Sequence, residues 1–332
     1  MRNILITGGA GFIGSHLVDL MLKDGHRVLV LDTLTYAAQP EYLSSLATLV
    51  EGCITNSTLV NSLIDQYSIN TIINVAAESH VDRSISDPSV FIQTNIVGTS
   101  VLLDSALAQW KKVGDSFRYV QISTDEVYGT LGDTGYFREE SPIMPRSPYS
   151  ASKAAADHLV EAWYHTYNLP TIITRCSNNY GPRQYPEKLI PKTILNAINQ
   201  KPIPVYGQGN NIRDWIYVED HCLGIKLALE KNERGKVYCF GGENEKQNIE
   251  LVHTICAILN RVRPLPQNQF YEKFITFVDD RSGHDYRYAI DCTYARETLG
   301  FKPRGHFEEN LEKTVLWYLS EYNNLSKKGI AA

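Results

Sequence analysis

The chain has 332 residues, 43% of them hydrophobic and 21% charged, with a formal net charge of −5. This is a soluble globular composition for one large domain or two smaller ones, and without a basic cluster it argues against wrapping around nucleic acid. The six cysteines, at 53, 176, 222, 239, 256 and 292, form no CxxC pair. They read as reduced thiols of a cytoplasmic protein, with neither a disulfide set nor a metal site expected.

Met1 leads almost directly into the apolar run Ile4 to Ile6, which glycines end. That run is too short for a signal peptide or a membrane span. "NILIT", "RVLVLD", "TIINVA" and "RYVQIS" read as buried parallel strands. Between them, "FIGSHLVDLMLKDG", "STLVNSLIDQY" and a long stretch from about Ser89 to Trp110 carry helical spacing. A further helix is predicted from Tyr149 to Tyr167, with "PTIITR" as the next strand. The alternation predicts an α/β fold built on a doubly wound parallel sheet. After Cys176 the rhythm changes: "SNNYGPRQYPEK" reads as loop, then come "IPVYG", "RDWIYV", a helix near Val218–Glu230, "VYCF" and a last helix from Phe307 to Tyr322. Residues 1–176 are therefore expected to form a cofactor domain to which later segments return, 177–322 a smaller mixed α/β substrate-binding lobe, and 323–332 a tail.

"ILITGGAGFIGSHL" places Gly8, Gly9, Gly11 and Gly14 between a strand and a helix. Glycines there permit a tight turn and close approach of backbone to a pyrophosphate, and the helix N-terminus meets its charge. Asp32 ends the next strand, 18 residues after Gly14. A carboxylate at that point accepts from a ribose 2′-hydroxyl and repels a 2′-phosphate, so the Rossmann-type sheet is expected to bind NAD in preference to NADP.

"RYVQISTDEVYG" ends a strand on two adjacent carboxyls, Asp125 and Glu126. Neighbouring side chains of a continuing strand point to opposite faces, so the backbone must leave strand geometry after Thr124 for both to reach one site. Two such carboxyls repel, so at least one should have a raised pKa, which suits an acid and a base acting on one substrate. In "SPYSASKAAADHLV", Tyr149 and Lys153 are four apart and share a helix face. A lysine ammonium near the phenol favours phenolate, which makes Tyr149 a candidate base, with Ser123 or Thr124 supplying a hydroxyl.

These stretches, with "LDTLTYA", "AAESHVDRSI", "TNIVGT", "CSNNYGP", "PEKLIP", "PVYGQG", "IRDWIYVEDH", "GGENEKQN" and "DDRSGHDYRYAID", resemble the dTDP-glucose 4,6-dehydratases of the extended short-chain dehydrogenase/reductases. The resemblance runs in order from residue 5 to about 291. It implies oxidation of a nucleotide sugar at C4 by Tyr149, loss of water across C5 and C6 through Glu126 as base and Asp125 as acid, and return of the hydride to C6. NAD would then be tightly bound and recycled. It implies a cofactor site of Gly8, Gly11, Phe12, Ile13, Gly14, Asp32, Thr33, Leu34 and Thr35, continued by Cys53, Ile54, Ala76, Ala77, Ser79, Thr94, Tyr149, Lys153 and Asn179. It implies a nucleotide-diphosphate hexose held by Ser79, His80, Thr124, Asn178, Lys188 and Leu189, with Pro204, Tyr206, Arg213, Asn248, Arg281 and His284. Arg213 and Arg281 suit a diphosphate because a planar guanidinium pairs two oxygens. His221 is expected to cap or pack.

Two departures from the family pattern stand out. "EGCITN" carries Cys53 where an aspartate usually contacts adenine, and a thiol is a poor acceptor for the adenine amino group. "YGPRQYPEK" carries Arg183 where an aromatic or small residue is usual. The substrate expected first is dTDP-glucose, with UDP-glucose and UDP-GlcNAc as rivals. A 4-epimerase or decarboxylase, a non-catalytic NAD-binding regulator and a plain alcohol dehydrogenase are the alternative readings. An epimerase needs no acid for loss of the C6 oxygen, and the intact Tyr149–Lys153 pair speaks against a regulator. A homodimer through the helices near 89–110 and 149–167 is expected, with no membrane or nucleic-acid partner.

Overall fold

The computed structural model describes residues 1–281, 283–327 and 329. The first half runs β1 (Asn3–Thr7), α1 (Phe12–Lys23), β2 (Arg27–Asp32), β3 (Thr48–Glu51), α2 (Ser57–Gln66), β4 (Thr71–Asn74), α3 (Val81–Ser86), α4 (Ser89–Phe91), α5 (Gly98–Val113), β5 (Arg118–Thr124), α6 (Pro148–Tyr167) and β6 (Thr171–Cys176). The second half adds β7 (Asn178–Tyr180), α7 (Leu189–Ile198), β8 (Ile203–Tyr206), β9 (Ile212–Tyr217), α8 (Val218–Lys231), β10 (Lys236–Phe240), β11 (Glu245–Gln247), α9 (Asn248–Val262), β12 (Ile275–Val278), α10 (Thr293–Leu299) and α11 (Phe307–Lys327).

Seven strands form one parallel sheet in the order β10–β6–β5–β4–β1–β2–β3. Their near-continuous apolar runs follow from burial on both faces. Ile4, Ile6, Val28 and Val30 turn to one face, against Leu17, Val18 and Met21 of α1 and Ile225 of α8. Leu5, Leu29 and Leu31 turn to the other, against Val60 and Leu63 of α2, Leu102 and Leu103 of α5 and Val160 of α6. The chain winds outward from β1 to β2 and β3, then crosses back to β4. That reversal opens a crevice at the carboxyl ends of β1 and β4, where such sheets hold ligands.

A second core joins α7, α9 and α11 through Ile194, Ile198, Leu251, Ile255, Leu311 and Val315. The small sheets β11–β9–β7 and β12–β8 lie with it. The sequence reading did not separate α7 and α9 from loop, and took β7 as loop. It ended the last helix at Tyr322; the helix continues to Lys327, so residues 323–327 of the expected tail are helical. Residues 328 and 330–332 of that tail lie outside the described residues.

The long helix expected from Ser89 contains a π-helical turn, Ile92–Val97. Such turns recur at functional sites because the wider register re-aims a side chain. Here Asn95 points inward, donating to Ser152 Oγ at 2.8 Å and pairing both ways with the Glu78 backbone at 3.0 Å. By length and composition the helical stretch Ser89–Ser116 could cross a membrane. In this fold it packs on α2, α6 and β5.

Candidate active site

A cavity of about 490 Å³ lies at the carboxyl ends of the central strands. Its floor is the glycine turn. Gly8 has φ of +67°, and a Cβ there would sit 2.6 Å from Ala76 Cα, so the turn lies directly on the end of β4. A Cβ at Gly14 would sit 2.1 Å from the Gly8 carbonyl oxygen, so only glycine lets α1 start this close to the turn. Gly11 caps α1 without a side-chain bond. The open N–H groups of the first turn suit a phosphate.

Asp32 fixes the far edge of this floor. Its Oδ2 accepts from Ala10 N at 3.0 Å and its Oδ1 from Leu34 N at 2.9 Å. Burial raises its pKa, and the two N–H groups oppose that shift. Leu34 sits in the left-handed region at φ 51° and serves through its backbone. Its side chain is not among those lining the cavity, unlike its neighbours Thr33 and Thr35. Phe12, Ile13, Cys53, Ile54, Ala76, Ala77, Ser79, Thr94 and Asn179 also line it. Cys53 Sγ lies 3.0 Å from Thr55 Oγ1, its hydrogen-bond partner. A helix N-terminus, an acidic strand end and a polar far wall in one cavity fit a dinucleotide.

At the other end stand Thr124, Asp125, Glu126, Tyr149 and Lys153. β5 stops at Thr124, and Asp125–Tyr128 form a 3₁₀ turn, which brings both carboxyls to one cavity as the sequence requires. Their surroundings differ. Burial raises the Asp125 pKa well above the ordinary range, and the charges of Glu126 and Asp214 add to it. Its Oδ2 is buried with no partner among the described residues, while Oδ1 accepts from Thr124 Oγ1 at 3.2 Å. Burial also raises Glu126, but Lys188, Arg213 and Arg281 draw it back down. Asp214, pushed up to about 6 by burial, accepts from Gly242 N and Asn244 N at 3.0 and 2.8 Å. Sequence reading did not single it out.

Tyr149 is buried beside these carboxyls. Burial, Glu126, Cys176 and Asp125 hold its pKa well above the ordinary phenol value, with Thr124 opposing. Lys153 bonds elsewhere. Its Nζ donates to the Ile122 carbonyl at 2.6 Å, and burial lowers its own pKa against the pull of Asp157. The lysine thus pins α6 to β5, and burial, with the carboxyls that Tyr149 faces, disfavours the phenolate.

Beneath these groups lies a buried ion pair that sequence reading missed. Arg175 Nε donates to Asp157 Oδ2 at 2.9 Å, and Ser123 Oγ donates to the same oxygen at 2.9 Å. Arg175 also donates to the Tyr128 hydroxyl at 2.9 Å. A signal was available: Asp157 is one turn beyond Lys153, and Arg175 is the one charge in the strand that follows.

The residues expected to hold substrate divide into two groups. Ser79, Thr124, Asn178 and Lys188 line the cavity, whereas His80, Leu189, Pro204, Tyr206, Arg213, Asn248, Arg281 and His284 do not. His80 caps α3, accepting from Arg83 N at 3.4 Å. Leu189 starts α7 and Asn248 starts α9, while Pro204 and Tyr206 belong to β8. Arg213 is buried 4.4 Å over the Tyr288 ring. His284 pairs with Asp280 at 2.7 Å, 6.2 Å from the Tyr206 ring. His221 packs in the interior, as expected, with Nδ1 2.9 Å from Asn179 Oδ1 and its pKa lowered to about 3 by burial. Arg183 adopts φ 67° and ties its loop to α1, pairing with Asp19 at 2.8 Å.

A dinucleotide loop on a doubly wound sheet, with a tyrosine–lysine pair on the helix facing a hydroxyl-bearing strand end, defines the short-chain dehydrogenase/reductases. The family model for GDP-mannose 4,6 dehydratase matches residues 5–314. A dTDP-glucose 4,6-dehydratase of Xanthomonas campestris pv. campestris is 49% identical over 96% of this chain and 94% of its own length. The crystal structure of dTDP-glucose 4,6-dehydratase from Bacillus anthracis, solved with NAD, superposes with a TM-score of 0.85 at 43% identity, covering 97% of this chain and 98% of that one. That of a Streptomyces venezuelae enzyme of the same name, bound to NAD and dTDP, gives 0.89 at 40% with the same coverage. The chain belongs to the dTDP-glucose 4,6-dehydratase family.

Proposed function

We propose that this chain converts dTDP-glucose to dTDP-4-keto-6-deoxy-glucose, as an NAD-dependent hydro-lyase. One observation carries the reading: Asp125 and Glu126 are adjacent, share a cavity with Tyr149, and face opposite electrostatic surroundings. Carboxyls pushed apart in pKa divide into an acid and a base. Relatives with nearly the same length and half the same residues carry that activity in their names.

NAD, when bound, supplies the acceptor for the C4 hydride and the donor that returns it to C6. Tyr149, whose phenolate the positive nicotinamide ring of bound NAD would favour against the neighbouring carboxyls, takes the C4 hydroxyl proton as the ketone forms, with Thr124 beside it. The ketone acidifies C5, and Glu126, which three cations favour as carboxylate, takes that proton. Asp125, kept protonated by burial and by two neighbouring carboxyls, gives its proton to the C6 hydroxyl, which leaves as water. A hydride at C6 and a proton at C5 complete the product with no net change in oxidation state. Ser79, Asn178 and Lys188 on the cavity wall, with Arg213, Arg281 and the groups around them, hold the nucleotide sugar.

The test is incubation of the NAD-loaded protein with dTDP-glucose, UDP-glucose and UDP-GlcNAc separately. A 4-keto-6-deoxy product is expected from dTDP-glucose, with solvent deuterium at C5 and the C4 hydrogen carried to C6 of the same molecule. Finding that hydrogen in water or in released nicotinamide would sink the reading.

The surroundings proposed for the enzyme follow from its thiols and from two of its helices. Six free cysteines suit a reducing compartment, so we place it in the cytoplasm. Residues 1–176 with the returning strand β10 serve the cofactor, and most of the remainder serves the nucleotide sugar. Val97 and Tyr167 are exposed, and Val101, Leu107, Leu159 and Trp163 are only half-buried, on α5 and α6 and the turn before them. Pairing these helices with their copies would give a four-helix homodimer interface. Light scattering should return twice the chain mass, and Leu159→Glu should halve it; a monomeric parent would refute the dimer.

A further inference from the structure

Three cations act on Glu126: Lys188, Arg213 and Arg281. Two are committed to backbone carbonyls. Lys188 Nζ donates to Ser79 O at 2.8 Å. Arg213, 7% exposed, donates to the carbonyls of Ile212, Asp285 and Tyr286 at 2.8, 2.9 and 3.2 Å. Arg281 is different. Its side chain keeps 23% of its exposure, and its ion-pair partner is a carboxylate, Asp82, with Nε to Oδ1 at 2.5 Å and Nη2 to Oδ2 at 3.1 Å. The guanidinium lies 5.2 Å from the Tyr206 ring centroid, and the Tyr206 hydroxyl donates to Asp82 Oδ2 at 3.3 Å.

These partners come from opposite sides. Asp82 is on α3, which follows the cavity-lining residues Ala76–Ser79 of the cofactor half. Tyr206 ends β8, and Arg281 is three residues past β12. A single carboxylate therefore draws both groups across to the cofactor half. A carboxylate and a phosphate compete for the same guanidinium geometry, since each offers two oxygens to its planar fork. Even where a second edge of the guanidinium stays free, the Asp82 charge offsets the attraction that Arg281 exerts on an incoming anion.

We propose that Asp82 is an internal competitor for the diphosphate of the nucleotide sugar: it holds Arg281 and Tyr206 until a nucleoside diphosphate displaces it. The inference rests on the proposed placement of the diphosphate at Arg281. Asp82 then weakens binding of substrate and product alike, and its return to Arg281 assists release of the product's nucleoside diphosphate group.

Calorimetric titration of the NAD-loaded protein with dTDP, and separately with thymidine, tests this. Asp82→Asn should tighten dTDP about two- to fivefold at low salt, the range for one partly exposed ion pair. The gain should shrink as salt screens the charges. Thymidine, which has no phosphate, should bind as before, and Asp82→Glu should keep the parent affinity for dTDP. Asp82→Ser is a second removal of the charge should the asparagine variant fail to fold. If Arg281→Met leaves dTDP binding unchanged, the placement at Arg281 falls, and the inference with it. If Arg281→Met weakens dTDP but neither Asp82→Asn nor Asp82→Ser tightens it, the competitor role alone is overturned. Equal tightening of thymidine overturns it as well, because the variant would then simply have loosened the two halves.

Discussion

Asp125→Asn will oxidise its substrate and stop there. The amide cannot protonate the departing C6 oxygen, while Tyr149 and Glu126 remain in place. Turnover should fall about 10²- to 10⁴-fold, the usual worth of one general acid. Mixing the variant with dTDP-glucose should leave reduced nicotinamide on the protein, visible by its near-ultraviolet absorbance. The same variant should be more stable than its parent at neutral pH. The folded-state pKa of Asp125 is raised by burial and by Glu126 and Asp214. Between the unfolded value, about 3.9, and the folded one, the native state binds more protons than the unfolded state. Stability contributed at this site is therefore present at low pH and is lost as pH rises. Asparagine carries no such dependence, so its melting temperature should exceed the parent's at pH 7 and approach it near pH 3. In the parent, activity should fall on the acid side as Glu126 takes up its proton, at a pH above the ordinary glutamate range. A variant that still eliminates at the parent rate, or that melts lower at pH 7, would show that Asp125 is not the stored acid.

Removing the carboxylate beneath the site should be the most damaging structural change. Asp157→Ala leaves the Arg175 guanidinium, with a side chain only 2% exposed, without its buried counter-charge. Breaking a buried pair from one side costs about 3–5 kcal/mol, because the remaining charge is stranded. Ser123 Oγ loses its acceptor, and Lys153 loses the field that opposes its desolvation. Replacing both partners with apolar residues of similar volume, Asp157→Leu with Arg175→Met, should recover most of the loss. Urea unfolding of the two single variants and the double variant measures the coupling. A double variant no better than Asp157→Ala would mean that packing, and not the stranded charge, sets the cost.

The cofactor end is legible in the sequence because its parts are local. Gly8 to Gly14 and Asp32 lie within one strand–helix–strand unit, where spacing alone puts them together. The departure of the chain from β5 at Thr124 is also legible, since two neighbouring carboxyls cannot share a site on a regular strand. The substrate end is harder to read. Lys188, Arg213 and Arg281 span 93 positions, and no periodicity links them to Glu126. The partner of Lys153 is a carbonyl 31 residues away, which chemistry written as a tyrosine–lysine pair does not suggest. The π-helical turn that aims Asn95 at Glu78 and Ser152 leaves no trace in a helical pattern, because it changes register within an unbroken helix.

The edge strand β10 sets the order in which the molecule can be completed during synthesis. β6 leaves the growing chain at Cys176, yet the strand that covers its outer edge begins at Lys236, after β7, α7, β8, β9 and α8. Until those residues emerge from the ribosome, β6 presents a bare row of amides and carbonyls, the kind of edge that recruits other nascent chains. A fragment cut at Cys176 would keep that edge permanently. The seven-stranded sheet and the second core are thus written into one another along the polypeptide, and the sheet cannot be translated to completion before the second core has begun.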